Sequence, residues 1–349
     1  MLDRQPRPTR RRDRTLASRT FPTRESHLPD ARVAPSGIAS RTFGRLDHVR
    51  VPTAIDVDTA AIRCHGHVRH TPLLRTEVNG RPCLLKLEHL QRTGSFKLRG
   101  ALNALASGER PTQVITASGG NHGLGVATAA KSLGLPATVY VPETVPEAKA
   151  RRIEEAGATL VRHGVSYAEC ASAAHDAVAR TGARYVEAYN DPDVVAGQGT
   201  VAREVVREAP EVDAVVVAVG GGGLAAGTAL GSDGGTTVAV EPHGCSCLHQ
   251  ALAAGEPVDT DVDSIAASAL GATRIGDVPF SVLRSANLTS VLVTDDDILA
   301  ARDLLWEEFR LAVEPAAAAP LAALVAGRVP GELPCLVLCG ANTTWTPSA

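Results

Sequence analysis

Lysine is scarce in this chain: 4 lysines stand against 31 arginines in 349 residues. Each lysine therefore invites the question whether an amine, rather than a charge, is wanted at its position. Lys97 has the neighbours for that role. It follows Thr93-Gly94-Ser95-Phe96 and opens the apolar run Leu98-Arg99-Gly100-Ala101-Leu102. An amine among small residues and one aromatic ring is desolvated, and a desolvated amine is nucleophilic enough to form a Schiff base near neutral pH. Lys131 and Lys149 fall among polar helical neighbours and read as solvated, and Lys86 lies in an apolar strand from which its stem can snorkel.

Three glycine-marked turns supply the second kind of chemistry. They are Thr116-Ala117-Ser118-Gly119-Gly120-Asn121-His122-Gly123, Gly220-Gly221-Gly222-Gly223-Leu224 and Cys339-Gly340-Ala341-Asn342-Thr343. Four glycines between an apolar strand and a helix start leave backbone N–H groups bare, and the helix dipole adds attraction for a phosphate. Gly221-x-Gly223-x-x-Ala226 also meets the dinucleotide fingerprint, with Glu241 placed 18 residues after Gly223 to take a ribose. A nicotinamide-dependent oxidoreductase is therefore open at this point. No P-loop sequence occurs.

The elements that must position these residues follow a regular alternation from about residue 51. Val/Ile-rich runs at 84–87, 114–117, 137–141, 159–161, 185–187, 214–219, 237–241, 291–294 and 335–338 read as strands. Ala-rich stretches such as 122–133, 146–156, 166–180, 195–208 and 295–311 read as helices. Continuous apolar strands alternating with helices predict parallel sheets covered on both faces, and nine strands predict two α/β lobes. Each turn lies where an open α/β sheet places its ligands, at the carboxyl end of a strand.

Composition narrows the class. Apolar residues make up 44% and aromatics 3%, so the core is built from Ala, Val, Leu and Ile. No stretch approaches the roughly 18 uninterrupted apolar residues of a membrane span. The net charge of −3 gives no footprint for nucleic acid, although residues 1–50 carry 12 Arg against 4 Asp and 1 Glu. That leader has no apolar period and is expected to be a disordered basic extension. Seven scattered cysteines suit a reducing, cytoplasmic compartment better than a disulfide scaffold.

Taken together, Gly94-Ser95-Phe96-Lys97-Leu98-Arg99-Gly100-Ala101, Ser118-Gly119-Gly120-Asn121-His122, Gly197-Gln198-Gly199-Thr200, Gly220-Gly221-Gly222-Gly223 and Cys339-Gly340-Ala341-Asn342 closely resemble the serine/threonine dehydratase (ammonia-lyase) family. These are pyridoxal-phosphate (PLP) enzymes of fold type II, and the resemblance runs in order from about Thr53 to Thr344. It implies a tryptophan synthase β-like α/β fold of two three-layer lobes, the smaller (113–191) inserted in the larger (51–112 and 192–349). Lys97 would hold PLP and move protons at the substrate. Phe96 would pack by the ring, Asn121 would bond its phenolic oxygen, and Cys339 would face the pyridine nitrogen. Gly220, Gly221, Gly222, Gly223 and Leu224 would cradle the phosphate. Ser118, Asn121 and His122 would receive the substrate carboxylate, and Glu314 matches a family glutamate near the cofactor.

The implied reaction is α,β-elimination, giving 2-oxobutyrate from L-threonine or pyruvate from L-serine, with ammonia. A neutral thiol at the pyridine nitrogen weakens the electron sink and favours expulsion of a β-leaving group. Another β-substituted acid, such as threo-3-hydroxyaspartate or a diamino acid, is the alternative substrate. Related serine racemases carry a serine where this chain has Gly119, so racemisation should be poor. The same relatives bind a divalent cation with an aspartate at the position of Cys247. That replacement, despite the soft donors His243, Cys245, Cys247 and His249, leads us to expect no metal. The resemblance also implies a homodimer. With Ala349 soon after the Cys339 motif, no C-terminal regulatory domain is expected.

Overall fold

The computed structural model describes residues 50–346, and the expected disordered extension lies outside them except for Arg50. Arg50 is tied to the fold, with its guanidinium 2.8 Å from Asp193 and paired also with Asp56. Among the described residues ten strands form two sheets. The larger contains β1 (Leu73–Val78), β2 (Arg81–Lys86), β7 (Ala214–Ala218), β8 (Thr236–Pro242), β9 (Leu288–Val293) and β10 (Pro334–Val337), in the order β1-β2-β10-β7-β8-β9. The smaller contains β3 (Val114–Ala117), β4 (Ala137–Val141), β5 (Thr159–Arg162) and β6 (Arg184–Tyr185), in the order β5-β4-β3-β6. All neighbours are parallel except the β1–β2 hairpin. Every strand of the smaller sheet lies in sequence between β2 and β7, so one α/β lobe is inserted in the other, as the resemblance implies.

Burial explains the layers. All residues of β7 and β10 are buried, as the central strands of a sheet covered on both faces must be. In β3 successive residues serve opposite cores: Val114 packs with Leu124, Val139 and Ile153, whereas Ile115 and Ala117 pack with Cys170, Ala174 and Ala177. Helices Asn121–Ser132 and Glu147–Glu155 thus cover one face and Tyr167–Thr181 the other. No helix among the described residues is long and apolar enough to cross a membrane.

Two features absent from the sequence reading have plain signals. β1 ends at Asn79-Gly80, both with positive φ (51° and 76°), the mirror-type turn that suits a tight hairpin. Its edge position leaves Arg75 and Glu77 exposed, which hides the strand's apolar character. The helix expected at 195–208 starts earlier, at Pro192. Asp191 accepts hydrogen bonds from the N–H groups of Asp193 and Val194 at 2.8 and 3.1 Å, and Pro192 fills the first helical position where no N–H is needed.

Helix Pro192–Glu208 also accounts for Gly197-Gln198-Gly199-Thr200. A Cβ on Gly197 would lie 2.7 Å from the Cα of Gly100, and one on Gly199 would lie 2.7 Å from the Gly227 carbonyl. The helix therefore touches both Lys97–Ala106 and Gly223–Gly231 backbone to backbone. The motif fixes the spacing between the lysine helix and the glycine-loop helix.

Candidate active site

Lys97 begins helix Lys97–Ala106, and the segment leading to it is held by the chain that follows β10. Phe96 N–H donates to Cys339 O at 3.1 Å, Ala341 N–H donates to Gly94 O at 2.9 Å, and Ser95 bridges to Gly340. The Lys97 amine donates to Ala188 O at 2.9 Å and lies 5.1 Å from the centre of the Phe96 ring. Burial pulls its ammonium down to about 8, with Cys339 and Glu314 acting in the opposite sense.

Two residues on, Arg99 anchors the same helix in a charge cluster. Its guanidinium meets Glu88 at 2.6 and 2.9 Å and Glu204 at 2.6 and 2.9 Å, and it reaches Thr200 Oγ1 at 3.1 Å. Lys86 belongs to this cluster, which corrects the expectation of a snorkelling stem. It is fully buried, with Nζ 2.7 Å from both Glu204 and the Thr71 carbonyl. Two cations and two carboxylates balance, and the hydrogen bonds offset the cost of removing them from water.

The turn after β3 brings Asn121 to the opposite side. Asn121 Nδ2 donates to Glu314 at 2.9 and 3.2 Å, and its Oδ1 accepts from Asn342 Nδ2 at 2.6 Å. Glu314 is buried, which pushes its carboxyl above the ordinary range. Ser118 Oγ accepts from Gly120 N–H at 3.3 Å. Gly123 must be glycine here, because a Cβ would stand 2.0 Å from the Ser118 carbonyl. The His122 side chain packs inward from the same turn. Its ring is buried, Nε2 lies 3.0 Å from Val186 O, and burial lowers its pKa to about 3. The ring is therefore neutral, within electrostatic reach of Lys97.

The glycine loop closes a third side at the carboxyl end of β7, beside β10. Gly222 has φ of 92° and precedes helix Gly223–Gly231. A Cβ on Gly221 would lie 2.3 Å from the Tyr189 ring, and one on Gly222 would lie 2.4 Å from Ile275. The N–H groups of Gly220, Gly221, Gly222, Gly223 and Leu224 have no partner among the described residues, while the Leu224 side chain is buried in the core. Such a row of donors at a helix start is an anion cradle. Cys339 is buried, within electrostatic reach of Lys97 and Glu314, and burial pushes its thiol well above the ordinary range.

Glu241 does not reach outward for a ribose. Its oxygens accept from the N–H groups of Leu248 and His249, both at 2.8 Å, at the start of helix Cys247–Ala254. Cys247 donates its thiol to Gly220 O at 3.2 Å. Among the described residues no group of three His, Cys, Asp or Glu side chains is disposed around one metal position. A cleft open to solvent adjoins Asn121, Glu314, Asn342, Ser268, Lys149 and Arg152. The last four were not singled out as site residues from sequence, and Lys149 faces this cleft rather than only bulk water.

Residues 65–340 match the family model described as pyridoxal-phosphate dependent enzyme. The chain belongs to that family. An L-threonine ammonia-lyase of Geobacter sulfurreducens is 38% identical over 300 residues, covering 82% of this chain and 74% of the relative. A serine racemase of Rattus norvegicus is 34% identical over 316 residues, covering 83% and 93%. Among solved structures, the T.th. threonine deaminase superimposes with a TM-score of 0.80 at 34% identity, covering 85% of this chain and all of that one. Maize serine racemase gives 0.80 at 28% identity, covering 84% and 94%. The fold is that of the fold type II PLP enzymes. The residues fit this cofactor: a partly desolvated amine beside an aromatic ring, with an uncharged thiol within electrostatic reach, and a cradle of unpartnered N–H donors at the carboxyl end of β7. Membership of this family, with Glu241 spent on capping a helix, removes the nicotinamide alternative.

Proposed function

We propose that this PLP enzyme is an ammonia-lyase that removes the β-hydroxyl of small β-hydroxy amino acids, with L-threonine and L-serine as test substrates. The observation that carries elimination over racemisation is Gly119. It provides no hydroxyl, and a Cβ there would meet Val145 at 2.7 Å, so the turn is built around glycine.

When bound, PLP supplies the electron sink that acidifies the substrate Cα–H and lets a β-substituent depart. Lys97, whose amine is half deprotonated at about 8, would take the proton from Cα. The N–H groups of Gly220, Gly221, Gly222, Gly223 and Leu224 would bind the phosphate, Phe96 would pack by the ring, and Asn121 would bond its phenolic oxygen. Cys339 would meet the pyridine nitrogen without adding a charge. Ser118, Asn121 and the backbone N–H of His122 would hold the substrate carboxylate at the start of helix Asn121–Ser132.

The test is the visible absorption of the purified protein before and after L-threonine. We expect a cofactor band that shifts on addition, 2-oxobutyrate accumulation, and loss of both in Lys97→Ala. A shifted band with D-allo-threonine, the Cα epimer, as product, and no 2-oxo acid, would overturn elimination.

A further inference from the structure

We propose that Cys247 is a positioning residue for the anion cradle: its thiol fixes the Gly220–Gly221 peptide so that the Gly221 N–H presents to the cofactor phosphate. The inference rests on the reading of residues 220–224 as the cradle of that phosphate.

A trans peptide is flat, and its C=O and N–H point in opposite directions. No peptide bond among the described residues is cis. Whatever holds the Gly220 carbonyl therefore also aims the Gly221 N–H. Four consecutive glycines have wide conformational freedom, so contacts must set the plane of this first peptide. The sheet does not set it: the ladder from β7 closes at Val219, whose N–H donates to Val240 O at 2.9 Å. Among the described residues the one donor to Gly220 O is the Cys247 thiol, at 3.2 Å.

The next two peptides are held by backbone instead. Gly276 N–H donates to Gly221 O at 3.2 Å, and Ala226 N–H donates to Gly222 O at 2.9 Å. Of the three anchors only the one at Gly220 comes from a side chain, so substitution can remove it alone. Gly221 is itself buried, yet its N–H has no partner among the described residues. A buried N–H left unmet costs stability, which marks a donor kept for a ligand.

Cys247 is suited to the task. It is 1% exposed and opens helix Cys247–Ala254. Glu241 sets the place of that helix start by accepting from Leu248 and His249 N–H, both at 2.8 Å. Burial pushes the thiol up to about 12, with Glu241 acting in the same sense, so the sulfur keeps its proton and stays a donor. A peptide aimed in advance loses no freedom when the anion arrives, and that saving appears as affinity.

The test separates the phosphate from the rest of the cofactor. 5′-Deoxypyridoxal keeps the ring and the aldehyde that Lys97 attacks, and lacks the phosphate. Equilibrium dialysis of the full-length protein against each compound gives two affinities and their ratio. We expect Cys247→Ala to bind PLP about three- to tenfold more weakly, the range of one hydrogen bond, and deoxypyridoxal within about twofold of wild type. Cys247→Val fills the volume without donating and should match Cys247→Ala. Cys247→Ser restores a donor and should return the ratio to within about twofold of wild type, with melting temperature as the control for folding. An unchanged ratio in Cys247→Ala and Cys247→Val overturns the role of the thiol and leaves the cradle standing. Equal weakening of both compounds in those variants makes the effect one of general packing and also overturns it. Wild-type protein that binds PLP no more tightly than deoxypyridoxal overturns the cradle, and this inference with it.

Discussion

Burial of Lys97 has a signed consequence. Its folded pKa of about 8 lies below the ordinary 10.5, so the folded protein binds fewer protons than the unfolded chain between these values. Stability of the cofactor-free protein from this group therefore rises as pH increases from about 8 to about 10.5. The same shift sets reactivity, since only the unprotonated amine attacks an aldehyde. Capture of added PLP by cofactor-free protein should accelerate through about pH 8 and then level off, followed by absorbance. A rate independent of pH across that range would contradict the burial argument. Gly119 gives a second expectation at this scale. Gly119→Ser should cost about 1–3 kcal/mol by forcing Val145 aside, measured by denaturant unfolding. Adding Val145→Ala should recover most of that loss, and the double variant should raise the ratio of racemisation to elimination.

At the scale of elements, the lysine helix is positioned by charge as much as by apolar packing. Arg99 lies fully buried between Glu88 of the turn after β2 and Glu204 of helix Pro192–Glu208. Glu88→Gln leaves a buried guanidinium short of one partner, and we expect a loss of about 3 kcal/mol or more in chemical unfolding. A loss under about 1 kcal/mol would mean that Glu204 alone suffices. This cluster was invisible in the sequence, where Lys86 and Arg99 look like ordinary strand and helix cations. The partners come from segments that composition cannot bring together. The edge hairpin, by contrast, was legible in Asn79-Gly80, and the true start of the helix at Pro192 in Asp191-Pro192. Both signals lie in turn and cap chemistry, which hydrophobic periodicity does not register.

For the whole molecule, the alternation of apolar strands with helices was enough to read two parallel α/β layers, because each strand carries its own burial pattern. The candidate site was legible where its chemistry is local: the buried amine of Lys97 and the unpartnered N–H row of the 220–223 loop. It was not legible where it depends on joining distant pieces. Asn342 shows this best: it donates to Asn121 Oδ1 from the smaller lobe's turn at 2.6 Å and to Thr93 O at 2.9 Å. Asn342→Ala should weaken cofactor binding by about tenfold, the worth of one such bond, with little change in melting temperature. Equilibrium dialysis against PLP would check it, and an unchanged affinity would assign Asn121's orientation to Glu314 alone.

The pairing of the 93–96 segment with the chain after β10 has a consequence in time. Thr93 and Asn342 are 249 residues apart. A ribosome adding about 5–20 residues per second needs roughly 10–50 s to cover that interval. Throughout it Lys97 exists as a side chain without its wall: β10 has not yet slipped between β2 and β7, and the Cys339 carbonyl is not there to hold Phe96. The nascent chain thus carries its reactive amine long before it can use it, and cofactor capture belongs to the finished polypeptide.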